Sequence, residues 1–239
     1  MRIAVFSDIH GNKEALEAII SDIEKRNIDK VICLGDTVAL GPSSKECLDL
    51  IIKKKIPMLL GNHELYHMYG HNIDKSFTEA KTRHHNWLND VLSDSYKNFL
   101  FDCNYDYKLE LAGKKITFQH FLYENKYKNP FYHVNILDSD KLYDVLDSLD
   151  DDIIVVGHEH ERRIIKHNSK ELIVVGSSGC LYDDNTFYTL LSDETGNIAV
   201  EKIDIKYDRD KFEEVFNDSN NPEKELYNKM FFGVKLKKM

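Results

Sequence analysis

The chain has 239 residues, 42% of them hydrophobic, and a formal net charge of −9. That length can bury a real core, and no apolar run reaches the span of a membrane. The acidic balance argues against a general nucleic-acid-binding surface, yet it leaves a phosphate substrate open, because divalent cations invert the potential of an acidic site. The apolar run at residues 1–6 passes straight into polar residues, so it reads as a core strand of a cytoplasmic protein and not as a signal peptide. Cys33, Cys47, Cys103 and Cys180 form no close pair and read as reduced thiols filling core space.

The first sixty residues alternate between strand and helix signals. Ile3–Ser7 reads as a strand, and Lys13–Lys25 as a helix with Leu16, Ile19, Ile20 and Ile23 on one face. Val31–Leu34 is a second strand, Ser43–Lys54 a helix capped by Ser43 or Ser44, and Ile56–Leu60 a third strand. This rhythm predicts parallel strands joined by right-handed crossovers. Thr78–Phe101 reads as helical, within an excursion over about 71–104. Ile116–Phe118 and Ile153–Val156 are buried strands flanking a helix at Asp138–Leu149. Closely spaced strands follow at Arg163–His167, Leu172–Val175, Phe187–Leu191 and Ile198–Ile203, with a turn at Asn168-Ser169-Lys170. From Lys211 a helical start, a polar stretch ending at Pro222 and a short helix complete a C-terminal region of antiparallel strands and tail over 162–239. With no repeat and no linker, one domain over 1–239 is expected.

Five polar elements follow directly on those strands: Asp8-Ile9-His10-Gly11-Asn12, Gly35-Asp36, Gly61-Asn62-His63-Glu64, the single His120, and Gly157-His158-Glu159-His160. Loops at the carboxyl ends of strands in α/β sheets gather into one crevice. If the backbone stays extended, Asp8 aims with His10, and His158 with His160. Imidazole, carboxylate and amide oxygen together suit manganese, iron, zinc or nickel, not calcium. Each element alone has an ordinary reading: Asp8 as a helix cap, Asn62 as part of a turn, the paired histidines as a surface loop. Their joint occurrence on successive strand ends is what points to a metal site.

The order D-x-H, GD, GNHE, lone H, GHxH resembles the calcineurin-like metallophosphoesterases over roughly residues 1–180. The stretches Gly35–Pro42 and Val175–Gly179 look like their compact bacterial and archaeal phosphodiesterase branch. The resemblance implies a four-layer α/β/β/α sandwich with two mixed β-sheets and the metal site at the strand carboxyl ends. It implies two divalent cations, manganese first among the alternatives. Asp8, His10 and His160 would hold one, Asn62, His120 and His158 the other, and Asp36 would bridge them. A hydroxide shared by the cations would attack a small phosphoester in line, with Asn62 and His63 contacting the substrate and His63, as imidazolium, assisting the leaving oxygen. A phosphodiesterase is the implied activity, with phosphomonoesters, dinucleoside polyphosphates and a non-catalytic scaffold as alternatives.

The chain also departs from the pattern. Leu60 and Ala39-Leu40 stand where the protein phosphatases of this superfamily carry phosphate-binding arginines and an acid that orients the catalytic histidine. Phe121 replaces a glycine, and Glu159 a threonine. Around the motifs, Arg162 or Arg163 is a candidate to reach the phosphate, and Lys126 and Lys128 to attract an anion. Tyr123, Tyr127, Phe131 and Tyr132 are candidates to stack a base. His67, His71, His84, His85 and His133 read as solvated or packing histidines, with His133 a candidate to line the pocket.

Overall fold

In the computed structural model, which describes residues 1–70, 73, 77–123, 134, 136, 139–194 and 196–237, strand β1 (Arg2–Phe6) is packed on both faces. Ile3 and Val5 join one apolar cluster, and Ala4 and Phe6 join another, as the two-residue period of a strand requires. β1 pairs in parallel with β2 (Lys30–Cys33) and antiparallel with a strand from far along the chain, β8 (Asn185–Glu194). β8 continues as a hairpin into β9 (Asn197–Lys206), giving the mixed order β2-β1-β8-β9.

The second sheet is also mixed, in the order β3-β4-β5-β7-β6. Its strands are β3 (Asp106–Leu111), β4 (Lys114–Gln119), β5 (Ile153–Val156), β6 (Arg163–His167) and β7 (Lys170–Val174). β4, β5 and β7 run parallel, and β3 and β6 close the edges antiparallel. Ile3, Val5, Ile32 and Leu34 of the first sheet meet Ile116, Phe118, Val155 and Ile173 of the second in a dry inter-sheet layer.

Helices cover the outer faces. α1 (Lys13–Glu24) lays Ala15, Leu16, Ile19, Ile20 and Ile23 on the first sheet, beside α2 (Ser44–Lys54) and Phe212 and Phe216 of α7 (Arg209–Asp218). On the second sheet, Leu142 and Leu146 of α6 (Ser139–Ser148) pack on Ile154 and Val156. The result is the α/β/β/α sandwich. No helix among the described residues is long and apolar enough to cross a membrane.

Several elements differ from their sequence reading. Residues 56–60 form no strand: Met58 bridges to Cys33 and Leu59 to Asn104, one isolated pair on each side. A helix not read from the sequence, α3 (Asn62–Tyr69), starts inside the GNHE motif. The helical excursion divides into α4 (Glu79–Val91) and α5 (Asp94–Phe101). β3 was not expected, because its surface-facing residues blur the apolar pattern. The antiparallel strands of the second half do not share one sheet; β6 and β7 join the second sheet, while β8 and β9 return to the first. Ser43 precedes α2 without a side-chain cap, and Ser44 Oγ instead accepts the Ala39 N–H at 2.9 Å.

The tail is fastened across the excursion. Buried Asn221 donates from Nδ2 to the Leu40 carbonyl at 2.8 Å, and its Oδ1 lies 3.1 Å from His84 Nδ1. His84 Nε2 accepts the Leu40 N–H at 2.9 Å, which leaves Nδ1 carrying the proton toward Asn221. Truncation at Asn221 strands a buried carbonyl and a buried imidazole N–H. Asn221→Ala should therefore lower unfolding free energy by roughly 2–5 kcal/mol in urea melts. A loss below about 0.5 kcal/mol, the range of an ordinary surface change, would show that the clamp contributes nothing.

Candidate metal centre

The site is built from loops that extend the β1–β2 pairing past the strands. Asp8 N–H donates to the Gly35 carbonyl at 3.0 Å, His10 N–H to Asp36 at 2.9 Å, and Gly11 N–H to Thr37 at 2.9 Å. Asp8, His10, Asp36 and His158 all have positive φ, between 48° and 65°. Convergence thus comes from left-handed turns, which corrects the extended-backbone reading of Asp8 with His10 and of His158 with His160. The helix cap at this position is Asn12, not Asp8: Asn12 Oδ1 accepts from Ala15 N–H at 3.1 Å. Gly61 and Gly157 are among the glycines required by close approach. A Cβ on Gly61 would sit 2.2 Å from Asp36 Oδ1, and one on Gly157 would sit 2.0 Å from Ser7 Oγ.

Seven side chains meet here in two overlapping groups. In the first, His10 Nε2 lies 3.7 Å from Asp8 Oδ1, 3.7 Å from Asp36 Oδ2 and 3.2 Å from His160 Nε2. In the second, His120 Nε2 lies 3.3 Å from that same Asp36 Oδ2, and His158 Nδ1 lies 3.1 Å from Asn62 Oδ1. Donor atoms about 2.0–2.2 Å from one cation stand roughly 3.0–3.6 Å from each other, so these spacings match coordination spheres. The histidine tautomers match too. Nδ1 of His10 and of His120 faces the carbonyls of Val38 (3.2 Å) and Leu34 (3.0 Å), which leaves each Nε2 bare toward the centre.

Asp8 is 0% and Asp36 2% exposed. Burial opposes their ionisation, but His120, His63 and His10 outweigh it at Asp36 and hold that carboxyl well below its usual range. Burial likewise opposes charge on His120, yet Asp36 and Asp8 raise it to about 9. The field therefore favours positive charge. Asp8 Oδ1 and His120 Nε2 are moreover buried without a hydrogen-bond partner. Unpaired buried lone pairs, one in each group and both part of a nitrogen–oxygen donor set, fit divalent transition-metal ions. Cys180, read as core filler, is half-buried, with its thiol near His10 and His160.

Glu64 explains the acid of the GNHE motif. Its Oε2 accepts from Asp36 N–H (2.8 Å) and Gly61 N–H (3.0 Å), and its Oε1 from Thr37 N–H (2.8 Å) and Val38 N–H (3.2 Å). One buried carboxylate thereby ties the Asp36 turn to the start of α3. Burial and the Asp36 charge push it up to about 7 against those donors.

His63 sits over the first group, its backbone N–H donating to Asp36 Oδ1 at 2.9 Å. Burial, with His10, His85 and His84, holds its imidazole well below the usual value despite Asp36, and so disfavours the imidazolium. His63 Nδ1 lies 3.1 Å from His85 Nε2, with ring planes within 14° and centroids 5.1 Å apart. That combination places the rings edge to edge. His85, read as a packing histidine, is thus the residue that the sequence reading missed; its motif-free place on α4 gave no signal. His67, bonded to Asn89 at 2.6 Å, and His84 are buried packing histidines as expected.

A cleft of about 460 Å³ opens beside His10, Asp36, Asn62, His63, His158 and His160. Its lining is completed by Leu40, Lys81, Tyr227, Met230 and Phe231, of which only Leu40 was singled out from sequence. Arg162 is not among its described lining residues, and its Nε is buried without a partner. Arg163 pairs with Glu161 at 2.6 Å. Phe121 packs edge-on against His120 and His158, with centroids 4.5 and 4.9 Å away. Tyr123 is buried against Phe121. His71, Lys126, Tyr127, Lys128, Phe131, Tyr132 and His133 lie outside the described residues.

The sequence model of a family described as calcineurin-like phosphoesterase matches residues 1–162. An uncharacterized protein of Methanocaldococcus jannaschii is 29% identical over 97% of this chain and 98% of its own length. A hypothetical protein of Pyrococcus horikoshii OT3 superposes with a TM-score of 0.79 at 20% identity, covering 98% of this chain and 99% of its own. A metallophosphoesterase from Sphaerobacter thermophilus superposes at 0.68 with 19% identity, over 90% and 93% of the two chains. These two superpositions speak for the fold alone.

Glu64 yields a prediction independent of any ligand. Glu64→Gln keeps one acceptor oxygen and turns an NH₂ toward two buried backbone N–H groups. It should cost roughly 2–4 kcal/mol of stability in denaturant melts. A wild-type melting midpoint would refute the tie between the Asp36 turn and α3.

Proposed function

The chain belongs to the calcineurin-like phosphoesterase family, and from that membership we propose that it is a phosphoester hydrolase working with two divalent cations, on diesters in preference to monoesters. The observation that carries this reading is Asp36 Oδ2, a single carboxylate oxygen between His10 Nε2 at 3.7 Å and His120 Nε2 at 3.3 Å. Asp8, His10 and His160 would hold one cation, Asn62, His120 and His158 the other, with Asp36 shared. Manganese is our first choice, with iron, zinc and nickel compatible with the same donors. Bound, such cations supply Lewis acidity, lowering the pKa of water and neutralising phosphoryl charge.

The chain's own residues do the rest. Asn62 and His63, side by side at the start of α3, face the cleft and orient the phosphoryl group. The diester preference rests on the lining: among its described residues there is no arginine, so a dianionic monoester finds no guanidinium fork. His85 takes the place of the acid missing at Ala39. With His85 Nδ1 buried and unpartnered, a bare lone pair there costs less than a stranded N–H. His85 Nε2–H then donates to His63 Nδ1, and His63 presents Nε2–H to the cleft as a hydrogen-bond donor to the charge developing on the leaving oxygen, keeping its proton.

Hydrolysis of bis(p-nitrophenyl) phosphate tests the activity. We expect turnover with manganese, faster than on p-nitrophenyl phosphate, abolished by chelation and restored by adding metal back. Asp36→Asn should weaken both cations, seen as a fall in bound metal by elemental analysis. A variant that keeps two tightly bound ions would remove Asp36 from the bridge.

A second test concerns the histidine pair. His63→Ala should keep its metal and lose roughly 10²–10³ in rate, the range for one hydrogen-bond donor to a developing charge, most with alkoxide leaving groups. His85→Ala should lose roughly 10- to 100-fold, the range for an outer-shell partner. His85→Gln, which retains an N–H donor, should recover part of it. Nitrogen NMR should report the Nε2–H form of His63 in the wild type and a mixture in His85→Ala. An unchanged tautomer would end this role for His85.

A further inference from the structure

Resting on the phosphoesterase reading, we infer that the cleft contains a built subsite for a planar aromatic group on the ester, formed by Tyr227, Met230 and Phe231. These residues lie beyond residues 1–162, the part matched by the family model. They are carried by α8 (Lys224–Tyr227) and the π-helical turn Asn228–Phe232 that continues it. The Phe231 ring centroid is 5.2 Å from that of His160 and 6.2 Å from that of Tyr227. The aromatic wall therefore begins beside His160, with Tyr227 buried and packed edge-on against His84.

The turn is held by its backbone, leaving the Met230 and Phe231 side chains to the cleft. Asn228 Oδ1 accepts from Val234 N–H at 2.6 Å, and its Nδ2 donates to the Val234 carbonyl at 2.8 Å. Arg209 Nη2 donates to the Phe232 carbonyl at 2.6 Å, and Tyr182 Oη to the Met230 carbonyl at 2.6 Å. Phe232 is fully buried, while Met230 next to it in the same turn is 52% exposed. π-turns recur at functional sites because they redirect one or two side chains without breaking the helix. Here the redirected pair is Met230 and Phe231, an adaptable thioether beside a ring.

The rest of the lining identifies the occupant. It carries Lys81, His63 and His158 along with Leu40. An acyl chain in this cleft would bury polar groups for no return. A flat ring can stack on Phe231 and turn a polar edge toward Lys81. Nucleobases and simple aryl esters share that chemistry, and a cleft of this size accepts either.

The test uses three diesters with one leaving group, p-nitrophenolate: methyl, phenyl and thymidine 5′ p-nitrophenyl phosphate. Wild-type kcat/KM should favour the phenyl and thymidine esters over the methyl ester by about 10- to 100-fold, the range for one stacked ring. Phe231→Ala and Met230→Glu should each collapse that ratio, with circular dichroism confirming the fold. Thymidine ahead of phenyl assigns the subsite to a nucleobase, and the reverse order to an aryl group. Equal rates on all three esters, or a ratio untouched by both variants, overturn the subsite while leaving the hydrolase standing. No hydrolysis of any ester with manganese overturns the phosphoesterase reading itself, and the subsite falls with it.

Discussion

The constraint on which this structure turns is the burial of two carboxylates, Asp8 and Asp36, where strands of both sheets end. An isolated charge in such a place is prohibitive, so donors and positive charge must be delivered to it. The fold does this unevenly across each carboxylate. Asp36 Oδ1 takes the His63 backbone N–H, and Asp8 Oδ2 takes the His158 backbone N–H at 3.0 Å. The other oxygen of each faces imidazole nitrogens. One oxygen thus fixes the loop, and its partner is left to the chemistry. The first turn of α3 adds its dipole on the Asp36 side.

That arrangement requires backbone conformations that ordinary residues avoid. Left-handed φ at Asp8, His10, Asp36 and His158 costs of order 1–3 kcal/mol each, and the compensation is local. The three hydrogen bonds from residues 8–11 to residues 35–37 prolong the sheet where its strands have already ended. Asp8 is further tied through its carbonyl, which accepts from Ser177 Oγ at 2.7 Å and Gly179 N–H at 3.1 Å. The glycine-serine loop therefore acts as a splint behind the metal centre. Glu64 does the same for Asp36 from the opposite side.

The sequence made the candidate ligands legible because each follows a short apolar run, and all of those runs except Ile56–Leu60 are strands ending at a common edge. It misled on how they converge, because strand alternation was extended into residues that are in fact turns. Ile56–Leu60 has a strand's composition, but its partners are single residues on either side, something that only tertiary context decides. His85 was illegible for a different reason. It lies on a helix whose apolar pattern accounts for it as core, and only the approach of α4 to α3 brings its Nε2 to His63. The cleft wall was hidden likewise, since the sequence offers only a short helix after Pro222 and tertiary packing alone puts Phe231 beside His160.

Substitution therefore means different things in the two halves of the cleft. At the metal centre, backbone and side chain are both committed: Gly61 cannot accept a Cβ because Asp36 Oδ1 would be 2.2 Å away, and Asp36 cannot move because its N–H is held by Glu64. At the wall, the carbonyls of Met230 and Phe232 are bound, but the Met230 side chain is mostly free. A change at 230 reshapes the cleft without touching the hydrogen bonds that hold the turn. Chemistry is thus locked into strand-end loops where few alternatives fold. Selectivity is carried by a short turn whose anchoring is indifferent to its own side chains, so this chain can alter what it accepts without altering what it does to it.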